Sequence, residues 1–232
     1  MLMADAKDLI DGSRAVVFDL DGTLVDTLDD LWLALNSALD HHGLPPASLD
    51  VVLANVHGGL AETARAALSS VDRSAICPDE PVDTYQKHYR LRGHAGSRLY
   101  PGARDFLERC NRRRQAIAIC TNKPTADARD LLSLMGVAGY FDVVVGIDAC
   151  GAAKPDPAPL QLVLEQLDCA PVEAVFIGDS VIDAQCAKGA GVPFLLHEAG
   201  YGADAALAFG CAARFRTYGE LIRCDQKVTG LN

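Results

Sequence analysis

Apolar and polar positions follow two rhythms along this chain. Short, nearly continuous apolar runs alternate with longer segments in which apolar residues recur at helical spacing. Arg14 to Leu20 reads as a buried strand. Thr27 to His42 reads as a helix, with Leu28, Leu31, Trp32, Leu35 and Leu39 on one face, where Trp32 is expected to pack. Asp26 or Thr27 can cap this helix, Asp29 and Asp30 suit its positive end, and Gly43 can close it. Helical patterns follow over Gly59 to Ser69 and Val82 to Arg92, with no strand pattern between them and the Pro101-Gly102 turn. Ala103 to Arg113 is a further helix. Strands are then expected at Ala116 to Cys120, Asp142 to Gly146, Ala174 to Ile177 and Val192 to Leu196. Helices are expected at Thr125 to Met135, Pro157 to Leu167 and Val181 to Ala190. The segment after about Asp225 is expected to be loose.

Strand-helix repetition with apolar strands implies an α/β fold, a Rossmann-like parallel sheet covered by helices on both faces. Residues 27–95 form an all-helical cap inserted after the first strand, and residues 1–26 and 96–232 make the α/β core. Ligands of open parallel sheets bind beyond the carboxyl ends of the strands. An insertion there sits over the site as a lid.

Composition narrows the class. Half of the 232 residues are apolar, enough for a sizeable core, and the formal net charge is -10. That charge argues against nucleic acid as a partner. No apolar run approaches the length of a membrane span, and Asp5 and Asp8 precede any long apolar run, so neither a membrane partner nor a signal peptide is expected. The eight cysteines form no C-x-x-C pair and no zinc spacing. They read as buried or partly buried free thiols of a cytoplasmic protein. Cys110, Cys150 and Cys186 have no identified base, so cysteine catalysis is not expected.

The chemistry gathers at strand ends. Asp19-Leu20-Asp21-Gly22-Thr23 closes the first strand, Thr121-Asn122 the second, Lys154-Pro155 follows the third, and Gly178-Asp179-Ser180 with Asp183 closes the fourth. Each alone suits a cap, a turn or a surface charge. Together they bring carboxylates, a hydroxyl and an ammonium to one sheet edge. Phosphoryl transfer needs such a set, with a carboxylate as nucleophile and positive charge around the phosphoryl oxygens. Two carboxylates two residues apart must have their repulsion relieved by a cation, a proton or solvent.

In their order, these motifs resemble the haloacid dehalogenase superfamily of phosphatases. Asp-Leu-Asp-Gly-Thr-Leu-Val-Asp-Thr, Thr-Asn-Lys and Lys-Pro-Asp-Pro-Ala-Pro-Leu are similar to its phosphoglycolate phosphatase group. The resemblance implies a mechanism. Asp19 attacks phosphorus. Asp21 protonates the leaving alkoxide and then activates water. Mg²⁺ is held by the Asp19 and Asp179 carboxylates and the Asp21 carbonyl. Thr121 binds a phosphoryl oxygen, and Lys154 neutralises Asp19 and the phosphoryl group. Asp183 orients Lys154 or a metal-bound water. Gly22 permits the sharp turn, and Asn122 and Ser180 support the set. The implied reaction converts 2-phosphoglycolate to glycolate and phosphate, with a sugar phosphate, nucleotide or pyrophosphate as alternative substrate.

The cap is expected to choose the substrate. Gly58-Gly59 either faces the core as a loop or starts a helix. A substrate carboxylate needs a cation, for which Arg65 and Lys123 are the candidates, while His57 is expected at the surface with no step to perform. A reading from another class, a signalling module that accepts phosphate on Asp, is disfavoured by chain length, the helical insertion and Asp21. The expected partner is a small phosphorylated metabolite, and the expected state a monomer or homodimer.

Overall fold

The computed structural model describes residues 5–69 and 80–222. Helix α1 (Ala6–Gly12) leads into strand β1 (Ala15–Phe18), whose Val16 and Phe18 face one side of the sheet and Ala15 and Val17 the other. A two-residue strand β2 (Val25–Asp26) precedes four helices: α2 (Leu28–His41), α3 (Leu49–Asn55), α4 (Leu60–Ser69) and α5 (Glu80–Leu91). Strand β3 (Arg98–Leu99) then pairs antiparallel with β2, so the chain leaves and re-enters the core through a short ribbon. No strand was expected there. Two residues are too few to show a period of two.

The core continues as α6 (Ala103–Arg112), β4 (Ala116–Cys120), α7 (Thr125–Leu134), β5 (Val143–Val145), α8 (Ala158–Gln166), β6 (Ala174–Gly178), α9 (Val181–Ala190), β7 (Phe194–His197), α10 (Ala203–Phe209), β8 (Ala213–Phe215) and α11 (Tyr218–Ile222). The expected sequence of core strands and helices is therefore present. Helices α1, α10 and α11 and strand β8 add to it, and α3 adds to the cap. The sheet is parallel throughout, in the order β5-β4-β1-β6-β7-β8.

Three apolar clusters hold these layers. One side of the sheet packs on α6, α7 and α11 through Phe106, Leu107, Leu131 and Tyr218. The other packs on α8 and α9 through Leu160, Val163, Ala184 and Ala187. The helical cap has its own core, with Leu31 and Leu35 of α2, Leu60 and Leu68 of α4, and Tyr85 and Tyr89 of α5. Each such fully buried side chain contributes about 2 kcal/mol. Trp32 packs against this cluster as expected and donates its indole N–H to the Ala47 carbonyl at 2.9 Å.

Strand register positions the site. Phe18 pairs with Ile119 of β4 and with Ile177 of β6. Asp19 thus emerges level with Cys120 and Gly178, and Thr121 and Asp179 stand one residue further out on either side. The chain crosses to opposite sides of β1 here, which opens a crevice at the strand ends.

Of the cysteines, Cys110, Cys120, Cys169 and Cys186 are buried free thiols and Cys211 is half-buried, but Cys150 is exposed. Cys150 follows β5 in the loop before α8. The segment after Asp225 lies outside the described residues. Among the described residues, no helix is long and apolar enough to cross a membrane.

Candidate active site

Lys154 is the centre of the polar cluster. Its buried ammonium lies 2.7 Å from Asp19 Oδ1 and 2.6 Å from Asp183 Oδ1. Burial alone would favour loss of its proton, but Asp183 and Asp19 hold it well above the ordinary lysine range. Burial also opposes charge on Asp183. Lys154 and the Ser180 hydroxyl, which donates to Asp183 Oδ2 at 2.5 Å, more than offset this and keep that carboxyl below its usual range. Ser180 at the same time caps α9, accepting from the Asp183 amide at 3.3 Å. For Asp19, burial dominates and pushes the carboxyl up to about 8, against the pull of Lys154.

Asp179 is fully buried. Its Oδ1 accepts from the Thr23 hydroxyl at 2.7 Å, and its Oδ2 accepts from the Tyr201 amide at 2.7 Å. Burial raises its carboxyl above the usual range. Gly22, at φ +83°, makes the turn above it; a Cβ there would stand 2.6 Å from Asp179 Oδ2.

Carboxylate oxygens of Asp19, Asp179 and Asp183 all lie within 4.8 Å of one another. These three buried acids face one lysine. The excess negative charge and the all-oxygen donor set fit a divalent cation. The Asp21 carboxylate is turned elsewhere: Oδ1 accepts from the Thr27 hydroxyl at 2.6 Å and Oδ2 lies 3.0 Å from the Lys123 ammonium. The Asp21 carboxylate is thus no part of this acid cluster.

Asn122 ties three segments together. Its side-chain amide donates to the carbonyls of Lys154 and His57, each at 2.9 Å, and its Oδ1 accepts from the Lys154 amide at 2.9 Å. The Thr121 hydroxyl accepts from the Lys123 amide at 3.2 Å and keeps its own proton to donate. A cleft between core and cap is lined by Asp19, Asp21, Thr121, Asn122 and Lys123 from the core and by Leu31, Val56, His57, Gly59, Leu60 and Thr63 from the cap.

Gly59 therefore sits in a loop facing the core. Arg65 is exposed on α4 and does not line the cleft. His57 is not a surface residue: its side chain is only 13% exposed, with Nε2 4.0 Å from Asp179 Oδ2. The turn Val56–Gly58 presses it against the core, which helical spacing could not reveal. Thr27 does not use its side chain to cap α2, because its hydroxyl is spent on Asp21. Asp30 is buried and accepts from the Gly96 amide, the Ser97 hydroxyl and Arg92, tying the returning chain to α2.

Tyr201 was not expected. Its hydroxyl donates to Asp26 at 2.6 Å and accepts from the Thr27 amide at 2.7 Å, while its amide serves Asp179. Only its position two residues before an apolar helix marked it, a signal too general to use.

Residues 16–197 match the family of haloacid dehalogenase-like hydrolases. A phosphoglycolate phosphatase of Cereibacter sphaeroides is 38% identical over 191 residues, covering 80% of this chain and 85% of the relative. One from Rhodospirillum rubrum is 36% identical, covering 90% of this chain and 89% of the relative. The crystal structure of a protein from Haemophilus somnus, described as a predicted phosphoglycolate phosphatase, superposes with a TM-score of 0.85 at 27% identity, covering 90% of this chain and 96% of that one. The strand-end motifs, the parallel sheet with its helical cap and these likenesses agree: the chain belongs to the haloacid dehalogenase-like hydrolases, as a phosphatase.

Proposed function

We propose that this chain is a magnesium-dependent phosphoglycolate phosphatase that works through a phospho-aspartate on Asp19. The observation that carries the reading is the Asp19 carboxylate held 2.7 Å from the Lys154 ammonium in a buried site, with Asp21 beside it at the cleft. Asp19 attacks phosphorus, the ester oxygen leaves, and Asp21 gives it a proton. Asp21 then takes a proton from the water that hydrolyses the acyl phosphate. Thr121 donates to a phosphoryl oxygen, and amides of Leu20, Asp21 and Asn122 face the others. Lys154, positioned by Asp183, offsets the charge of nucleophile and phosphoryl group. Asp19, Asp179 and the Asp21 carbonyl would hold Mg²⁺, which when bound supplies positive charge to the phosphoryl oxygens. Gly22, Asn122 and Ser180 keep these groups in register.

The same reading takes residues 27–95 as the cap domain and 1–26 with 96–232 as the core, in a cytoplasmic monomer or homodimer. Phosphate release is measured against a metabolite panel at fixed Mg²⁺, for the wild type and for Asp19→Asn. The expected result is a clear preference for 2-phosphoglycolate and loss of at least about a thousandfold in the variant. Substantial activity in Asp19→Asn rejects that nucleophile. Preference for a sugar phosphate, a nucleotide or pyrophosphate keeps the mechanism and discards the substrate.

A further inference from the structure

The cleft has a second polar end, away from the acid cluster. Lys123 is buried against the cap, its ammonium 3.0 Å from Asp21 Oδ2, 3.1 Å from the Tyr89 hydroxyl and 4.5 Å from the centre of the Tyr89 ring. An ammonium has three protons. Asp21 and Tyr89 take two, and no acceptor for the third is found among the described residues. Tyr85 stands one turn before Tyr89 on α5, also fully buried. Its hydroxyl has no hydrogen-bond partner among the described residues. Buried polar groups are rarely left so, and a missing ligand is one cause.

Of the other titratable groups at the cleft, His57 stands at the acid cluster, its Nε2 4.0 Å from Asp179 Oδ2. Lys154 is already bracketed by Asp19 and Asp183, and the neighbouring cap wall is apolar, made by Leu31, Val56 and Leu60. The ester oxygen that Asp21 protonates must come within hydrogen-bond reach of Asp21. A carboxylate one methylene away from that oxygen falls within reach of the same lysine.

We infer that Lys123, braced by Tyr89, is the specificity-determining residue, reading a carboxylate on the leaving group. The substrate class is short phosphomonoesters of hydroxy acids. This rests on the phosphatase reading and names the group that selects its substrate.

The test compares kcat/KM for 2-phosphoglycolate and for 2-hydroxyethyl phosphate, which carries a neutral hydroxyl in place of the carboxylate. A site built around a charged partner rejects the analogue lacking it. The wild type is expected to prefer 2-phosphoglycolate by about a hundredfold. Lys123→Met slows both substrates, since Lys123 also faces Asp21, but the preference collapses by at least about tenfold, mainly through KM. Tyr89→Phe keeps the ion pair and loses only the brace, so its preference falls by about threefold. Equal losses on both substrates in Lys123→Met would mean that the lysine serves Asp21 alone, and overturn the inference. Should that variant fail to fold, the wild type decides: turnover of both esters without preference removes the subsite and leaves the phosphatase standing. Turnover of neither removes both.

Discussion

Asp179 stands where water does not reach it, and His57 together with two hydrogen bonds offsets part of what burial costs its charge. Thr23 and the Tyr201 amide each give it a hydrogen bond at 2.7 Å, one to each oxygen. Such bonds also aim the carboxylate, and outer partners of this kind typically change metal affinity by about 10- to 100-fold. Thr23→Val removes the hydroxyl and keeps the shape. The Mg²⁺ concentration giving half-maximal phosphate release should rise at least about tenfold, with kcat at saturating metal changed little. The metal-free protein should also lose about 1–2 kcal/mol of stability in denaturant titration, because a buried carboxylate oxygen is left unpaired. An unchanged metal dependence would show that Thr23 serves the turn alone. Thr23 could be read in the sequence only as part of a motif. Its role needed Asp179, which is 156 residues away in the chain.

At the scale of elements, the strand ends were legible because each is a local pattern: an apolar run that stops at Asp19, Thr121 or Asp179. Contacts between cap and core were not, since they join segments far apart. Tyr89 meeting Lys123 and Asn122 holding the His57 carbonyl depend on how α5 and the Val56–Gly58 turn lie over the sheet. Helix α3 escaped notice because its seven residues offer less than two full turns of pattern. Gly59 is a place where cap backbone comes close to core backbone. It holds φ +84°, and a Cβ there would stand 2.9 Å from the Asn122 carbonyl oxygen. Backbone cannot yield as a flexible side chain does. Gly59→Ala should push the turn off the core and move His57 with it. Displacing positioned groups by about 1 Å can cost a hundredfold in rate, so kcat/KM should fall by about 10- to 100-fold. Stopped-flow phosphate release checks this, and wild-type kinetics would mean that the cap does not close on this turn.

For the whole molecule, sheet and cap have separate apolar cores, joined by contacts that include Tyr201 packed against the cap cluster and Arg90 with Asp127 at 2.7 Å. Stability at the level of the fold therefore depends mainly on what lies inside each body, and the core holds one titratable group suited to a pH test. His197 ends β7 buried among aromatic rings, 4.6 Å from Tyr100 and 5.0 Å from Phe215 between ring centres. Its Nδ1 lies 3.2 Å from the Gly22 carbonyl, supporting the turn that carries Asp21. Burial drives its pKa down to about 4 despite that bond. The folded protein thus keeps His197 neutral where an unfolded chain, with an ordinary value near 6.5, takes up a proton. Its contribution to stability is present above pH ~6.5 and is lost as pH falls toward ~4. Between about pH 7.5 and pH 5 the loss from this residue is about 2 kcal/mol. Denaturant titrations at the two pH values measure it when wild type and His197→Gln are compared. The glutamine variant should be less stable at the higher pH, because ring packing is lost. Its further drop on acidification should be smaller than the wild type's by about 2 kcal/mol. Parallel drops in the two proteins would place the acid sensitivity in the carboxylate cluster instead.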